Sequence, residues 1–316
     1  APRARPGFSE PVWLKGTMPV QVTFTGHRFD FTEATIRADT TQASAEFGLF
    51  NLSKRPGTRS TTTARISFTP QGTIQINDLN VTGDGLEARG SISLREDGGL
   101  IKVSLTDLRA GSANEFAIDV EPLQETGMAL RIQGKSLDAS RIFGDSEKAA
   151  PAAPTQDRSL TWKDPLQVTL RLDRILFKND QSFRNVSGNV TLAANERITG
   201  FALDALGPGD NKIKGMFSVD NGVRNLSLDA DDAGAFINTF TGFTSIRGGS
   251  LQTRVSFPPD SGPRAVDYTG TVTLNDIVVT EQPFLARLFA AGSLDGPLRL
   301  LQGEGIRIPR VTAPFS

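Results

Sequence analysis

A period-two alternation, repeated along most of the chain, constrains this sequence most. Leu166, Val168, Leu170 and Leu172 stand at every second position, with Gln167, Thr169 and Arg171 between them. Successive side chains of an extended chain point to opposite faces, so such a stretch lays down one apolar face only as a β-strand. The same pattern appears at Val20, Val22 and Phe24, at Ile66 and Phe68, at Ile92 and Leu94, at Val103 and Leu105, and at Phe116 and Ile118. It returns at Val190 and Leu192, Leu226 and Leu228, Val255 and Phe257, and Val272 and Leu274. Gly83-Asp84-Gly85, Asp97-Gly98-Gly99 and Gly111-Ser112 punctuate these runs with the turn chemistry of antiparallel hairpins. Between Ile74/Ile76 and Leu79/Val81 the parity changes, the mark of a one-residue bulge.

The expectation is therefore an all-β, mainly antiparallel fold of about seventeen strands, each with one wet face of Thr, Ser, Gln, Asn, Arg and Lys. Two closures remain open at this level. The sheets meet face to face as a sandwich or barrel, or one long curled sheet keeps an apolar gutter.

A few short helices interrupt the strands. Asp231 to Gly242 reads as a helix with a carboxylate cap at Asp231 or Asp232 and Phe236, Ile237 and Phe240 on one face. One helical turn is expected over Leu137 to Phe143, and a turn over Asn51 to Thr58 around Pro56-Gly57. Near the C-terminus an apolar helical hairpin is expected. Pro283 suits a first helical position, Phe284, Leu285, Leu288 and Phe289 form its stripe, and Gly292 and Gly303 end its two arms. Residues 145–159, DSEKAAPAAPTQDRS, read as a linker. The organisation expected is a first β-groove segment over 1–144, that linker, and a second segment over 160–316 with a helical cap at 282–302.

Composition narrows the chemistry. The 316 residues carry 34 Lys plus Arg against 35 Asp plus Glu, a net charge of −1, which is not a nucleic-acid-binding balance. There is no Cys, so thiolate metal sites and Cys nucleophiles are excluded. His27 is the single His, in what reads as a turn, and no nucleophile elbow accompanies any Ser. Asp229, Asp231 and Asp232 read as helix-capping carboxylates rather than a cation site. No catalytic residue, metal or cofactor is expected, and no run reaches the ~18 apolar residues of a membrane-spanning helix. Phe supplies 20 of the aromatic residues, against 2 Trp and 1 Tyr, a bias that suits a purely apolar contact.

Four motifs point further. They are Asp231-Asp232-Ala233-Gly234, Ile246-Arg247-Gly248-Gly249, Pro283-Phe284-Leu285-Ala286-Arg287-Leu288 and Gly303-Glu304-Gly305-Ile306, with Gly134 to Phe143 as a further piece. With these, the chain resembles the C-terminal region of AsmA-like bacterial envelope proteins, the AsmA/TamB/YhdP group. The resemblance implies a repeating-β-groove, bridge-like lipid-transfer module of the periplasm. It implies anchoring in the inner membrane through an N-terminal helix missing from this chain, possible contact with the outer membrane, phospholipid or another acyl lipid as cargo, and no enzymatic activity. On that reading the groove is lined by Val20, Val22, Phe24, Ile66, Phe68, Ile92, Leu94, Val103, Leu105, Phe116 and Ile118 in the first segment. In the second it is lined by Val168, Leu170, Leu172, Val190, Leu192, Leu226, Leu228, Val255, Phe257, Val272 and Leu274, and Phe284, Leu285, Leu288 and Phe289 form a cap or gate. The alternative is a scaffold or assembly factor for outer-membrane proteins, which would act through exposed strand edges.

Overall fold

The computed structural model describes residues 14–27, 30–47, 52–69, 72–123, 126–140, 164–194, 198–257, 268–280 and 305–316. The chain is mainly β. It divides into two compact units, residues 1–154 with 164–176, and residues 155–163 with 177–316.

The first unit begins with β1 (Leu14–Lys15), β2 (Val20–His27), β3 (Asp30–Asp39), β4 (Ser44–Phe47) and β5 (Leu52–Lys54). It continues with β6 (Ser60–Phe68), β7 (Thr73–Gly83), β8 (Leu86–Arg95), β9 (Leu100–Ala110), β10 (Asn114–Pro122), β11 (Met128–Asp138) and β12 (Leu166–Leu176). Strands β1, β4 and β5 form a small sheet of their own. The remaining nine pair in the order β2-β3-β6-β7-β8-β9-β10-β11-β12, antiparallel up to the last pair. There β12 runs parallel to β11, with Leu130 opposite Val168 and Ile132 opposite Leu170. A parallel neighbour cannot follow through a tight hairpin, so a long excursion must separate the two strands. The linker expected over residues 145–159 falls between these two strands in sequence and lies outside the described residues.

The parity change in β7 is a bulge. Ile76 faces Ile92 and Leu79 faces Gly90, so three steps on β7 match two on β8. Asp78 absorbs the extra residue at φ +50°, a left-handed conformation that Asp tolerates better than most residues.

Two local expectations are corrected. Leu137 and Asp138 do not open a helical turn; they are the last residues of β11 and pair with Ile175 and Leu176 of β12. A long-range ladder overrides the local signal there. Asp138 still acts as a turn former, its Oδ1 accepting the N–H of Ser140 at 2.9 Å; residues 141–143 lie outside the described residues. Leu52–Lys54, expected inside a turn, is strand β5, held by Lys54. That lysine is buried and its Nζ donates to the carbonyls of Ala43, Thr41 and Arg55 at 2.7, 3.2 and 3.3 Å.

The second unit holds β13 (Ser182–Leu192), β14 (Ile198–Leu206), β15 (Lys212–Asp220), β16 (Val223–Ala230), α1 (Ala233–Thr241), β17 (Ile246–Arg247), β18 (Ser250–Phe257), β19 (Thr269–Val279) and β20 (Ile306–Phe315). Its sheet order is β13-β14-β15-β16-β18-β19-β20, all antiparallel, with β17 pairing to β19. Helix α1 starts where the carboxylate of Asp232 accepts the N–H of Ala235 at 2.8 Å. It stops at Gly242, whose φ of +70° closes the last turn onto Asn238. Between these caps Phe236 and Phe240 pack against Phe177 and Phe183, with ring centroids 5.3 to 6.2 Å apart. The helical hairpin expected over 282–302, with Phe284, Leu285, Leu288 and Phe289, lies outside the described residues.

Candidate functional site

Residues directly opposite each other on neighbouring strands share a face of the sheet. In the first unit the register therefore assembles apolar rows that run across all nine strands. One row is Phe24, Ala34, Ile66, Ile76, Ile92, Val103, Val120, Leu130 and Val168. A second is Val20, Ala38, Thr62, Val81, Ala88, Leu108, Phe116, Gly134 and Leu172. Between them lie Val22, Ile36, Ala64, Leu79, Gly90, Leu105, Ile118, Ile132 and Leu170, with the β7 bulge between Ala64 and Leu79. A shorter row of Phe68, Ile74, Leu94 and Leu100 forms the far rim. Without the bulge, Leu79 and Val81 would face the polar side.

The second unit repeats the arrangement. Gly188, Leu203, Gly215, Leu228, Thr253, Val272 and Ala313 form one row, and Ala205, Ile213, Ala230, Leu251, Leu274 and Val311 another. Val190 faces Phe201, Leu192 faces Ile198, and Phe217, Leu226, Val255, Gly270 and Phe315 continue a third. The Phe201 ring fills the space above Gly215: a β-carbon there would meet Phe201 Cε1 at 2.3 Å. Aromatic area thus covers a position where the strand itself carries no side chain.

The twenty-two residues expected to line the groove sit on these faces, fourteen in the first unit and eight in the second. Val168, Leu170 and Leu172 belong with the first unit. Phe257 lies on the same face two residues beyond Val255, in the next row, opposite Arg224.

Burial is graded along the strands. In the first unit Phe116 and Leu172 are buried, each 3% exposed, whereas Val20 and Phe24 on β2 are 51% and 54% exposed and Phe68 on the rim 40%. Ile92, Leu94, Val103, Leu105, Val168 and Leu170 between them are half-buried. Half-burial of so many large apolar side chains on one face differs from a dry core, where such residues are sealed. In the second unit burial is deepest beside α1, at Ile213, Ala230, Leu251 and Val279. Leu226, Leu228, Val190, Leu192, Val255, Val272 and Leu274 are half-buried.

The opposite face is wet and cross-linked by charge. Lys135 Nζ lies 2.7 Å from Glu115 Oε1 and Lys102 Nζ 2.7 Å from Glu121 Oε1 in the first unit; Arg254 grips Asp229 at 2.7 Å in the second. The hydrogen bond from Lys135 holds the Glu115 carboxyl below its ordinary value, and the bond to Glu121 raises Lys102. Asp229, Asp231 and Asp232 do not converge: Asp229 is bound to Arg254, Asp232 caps α1, and Asp231 is exposed. His27 is exposed at the end of β2. Among the described residues no group of three or more His, Asp or Glu is placed to hold a metal ion, and no helix is long and apolar enough to cross a membrane.

One residue escaped the sequence reading. Arg224 stands two positions before Leu226, so the alternation itself puts it on the apolar face. It faces Val219 on one side and Phe257 on the other. Its guanidinium lies over the Phe257 ring, 5.3 Å from the centroid, and its Nη1 donates to the carbonyl of Ile198 at 3.3 Å.

The structure also joins two of the quoted motifs. The N–H groups of Ala233 and Gly234 donate to the carbonyls of Gly249 and Gly248 at 2.8 and 3.2 Å, so Asp-Asp-Ala-Gly docks onto Ile-Arg-Gly-Gly as one interlocked corner. No family model matches the chain, and no curated protein matches it.

Proposed function

We propose that this protein is a lipid-transfer module of the AsmA-like kind, whose apolar sheet faces hold the acyl chains of phospholipids during passage between the inner and outer membranes. The observation that carries this reading is the set of apolar rows crossing nine strands of the first unit, half-exposed over most of their extent. Burying one CH₂ contributes about 0.8 kcal/mol, so an acyl chain of about sixteen carbons gains on the order of 10 kcal/mol on such a surface. The rows repeat nearly the same contacts from strand to strand, so a chain moves between equivalent positions without a deep trap. Nothing in this mechanism makes or breaks a covalent bond.

A curled sheet is part of the proposal, and α1 supports it in the second unit. The helix reaches β17, β18 and β19 with its first turns and Phe183 of β13 with its Phe236 and Phe240 rings. On a flat sheet β13 and β18 would stand four strand spacings apart, about 19 Å. The localisation that goes with this function is the periplasm, with the full-length protein anchored in the inner membrane.

The test is site-specific photo-crosslinking. Probes at Val103, Val168 or Leu170 are expected to capture lipid from cell envelopes, and probes at Lys102 or Thr169 are not. Equal capture from both sets removes the groove. Capture of an outer-membrane protein instead of lipid supports the scaffold reading.

A further inference from the structure

We infer that the turn carrying Arg95, Glu96 and Asp97, with Gly72 and Thr73 beside it, forms a headgroup site at the open rim of the first unit's apolar face, and that it takes phospholipids whose headgroup joins a phosphate to a primary ammonium. The inference rests on the lipid-carrying reading and adds to it an orientation and a ligand class.

The apolar face of the first unit is sealed at one end and open at the other. Along β8 it reads Leu86, Ala88, Gly90, Ile92 and Leu94. Ala88 faces Leu108, and Leu108 faces Phe116; these two are 6% and 3% exposed. At the other end Leu94 faces Leu100 and Ile74, and Ile74 faces Phe68; Leu100 is 38% exposed and Phe68 40%. From Leu86 to Leu94 the strand covers about 27 Å, against the roughly 15 Å of hydrocarbon that one bilayer leaflet holds. An acyl chain therefore fits along the strands with its methyl end toward Leu108 and its polar head at the rim.

Charge gathers at that rim. One step beyond the Ile74–Leu94 pair, Thr73 faces Arg95, and Gly72, Thr73, Arg95, Glu96 and Asp97 line a cleft of 490 Å³. Two glycines leave room for the charged groups. A β-carbon on Gly72 would lie 3.0 Å from Glu96 Oε2, and one on Gly99 would collide with the Arg95 guanidinium. Asp97 fixes the turn: its Oδ1 accepts the Gly99 N–H at 2.8 Å and stands 3.4 Å from Arg95 Nε. The Arg95 side chain is 61% exposed and Glu96 is exposed, so both are open to a ligand. Arg95 against Glu96 and Asp97 leaves the cleft with a net charge of −1, which disfavours a bare phosphate and suits a zwitterion. The guanidinium matches the phosphate oxygens with parallel donors. The Glu96 carboxylate accepts from the ammonium, which carries three N–H donors.

The experiment offers the whole protein dioleoyl phosphatidylethanolamine, dioleoyl phosphatidylcholine or dioleoyl phosphatidic acid in detergent micelles and measures bound lipid by native mass spectrometry. The ethanolamine and choline lipids share their chains and phosphate and differ in whether the ammonium donates a hydrogen bond. The expected result is about five-fold tighter binding of the ethanolamine lipid than of the choline lipid, the upper end for an exposed charge pair, with phosphatidic acid also below it. Glu96→Gln is expected to make the ethanolamine and choline lipids equal, and Arg95→Gln to weaken both while keeping their ratio. Both side chains are exposed on a turn, so the variants are expected to melt like the wild type. Free phosphoethanolamine in excess is expected to leave the lipid bound, because the chains supply most of the affinity; displacement by it overturns the assignment to a lipid. Equal binding of the ethanolamine and choline lipids by the wild-type protein overturns the headgroup site and leaves the apolar groove standing. A folded Glu96→Gln that retains the preference does the same, as does tightest binding of phosphatidic acid. Binding of no lipid overturns the groove and the headgroup site together.

Discussion

Gly234 brings its backbone so close to Ile246 that a β-carbon on it would lie 2.5 Å from the Ile246 carbonyl oxygen. That approach lets the first turn of α1 hydrogen-bond to the loop before β18 and sets the helix over one end of the second unit's apolar face. Gly234→Ala is expected to destabilise by about 1–3 kcal/mol, the usual cost of forcing extra atoms into a packed contact. Asp232→Ala removes the cap and is expected to cost about 1 kcal/mol, and Asp231→Ala close to nothing. Urea denaturation of the three variants checks the order, and an unchanged Gly234→Ala midpoint would contradict the close contact.

Asp78 holds φ +50° within β7, and its carboxylate stands 3.7 Å from Arg65. The conformation matters more than the exposed ion pair, which contributes little in water. Asp78→Gly is therefore expected to be nearly neutral, and Asp78→Val to cost about 1–2 kcal/mol, because a β-branched residue resists the left-handed region. If Val is tolerated as well as Gly, the bulge does not depend on this residue.

Acid should weaken the first unit partly through Glu115. The Lys135 hydrogen bond keeps its folded carboxyl below the ordinary 4.5. A depressed carboxyl contributes stability that is present above 4.5 and is lost as pH falls through the lower folded value. The stability difference between wild type and Glu115→Gln should then be constant at neutral pH and shrink below pH 4.5. A difference that grows on acidification would reverse the assigned sign. The group is exposed, so the effect is small and disappears in high salt.

Leu228 and Ile213 lie in neighbouring rows of the second unit, but Leu228 is half-buried and Ile213 is 2% exposed. A carboxylate at 228 keeps part of its hydration, whereas one at 213 is sealed from water. Ile213→Asp is expected to cost several kcal/mol and abolish cooperative melting. Leu228→Asp, like Val190→Asp, should leave a cooperative melt and remove lipid capture. Unfolding of all three would favour a sealed core.

The sequence by itself determined which side chains share a face. Parity along a strand is a local, covalent property, so Leu166 to Leu172 declare their apolar face without reference to any neighbour, and the change at Ile76 to Leu79 announces the bulge. The span of α1 was legible for the same reason, since capping acts within one turn, but the choice between Asp231 and Asp232 as its cap was left to the structure, which takes Asp232. The tertiary structure alone decided which strands became neighbours. Nothing in the composition of β12 marks it as the parallel partner of β11 in the first unit, because backbone hydrogen bonds carry no side-chain signature. The tertiary structure also turned Leu137 and Asp138 from an expected helical turn into the end of a ladder. Depth of burial was likewise hidden: Phe24 and Phe116 look alike in an alternating run, yet one is half open and the other sealed. That difference comes from which residues of distant strands cover them.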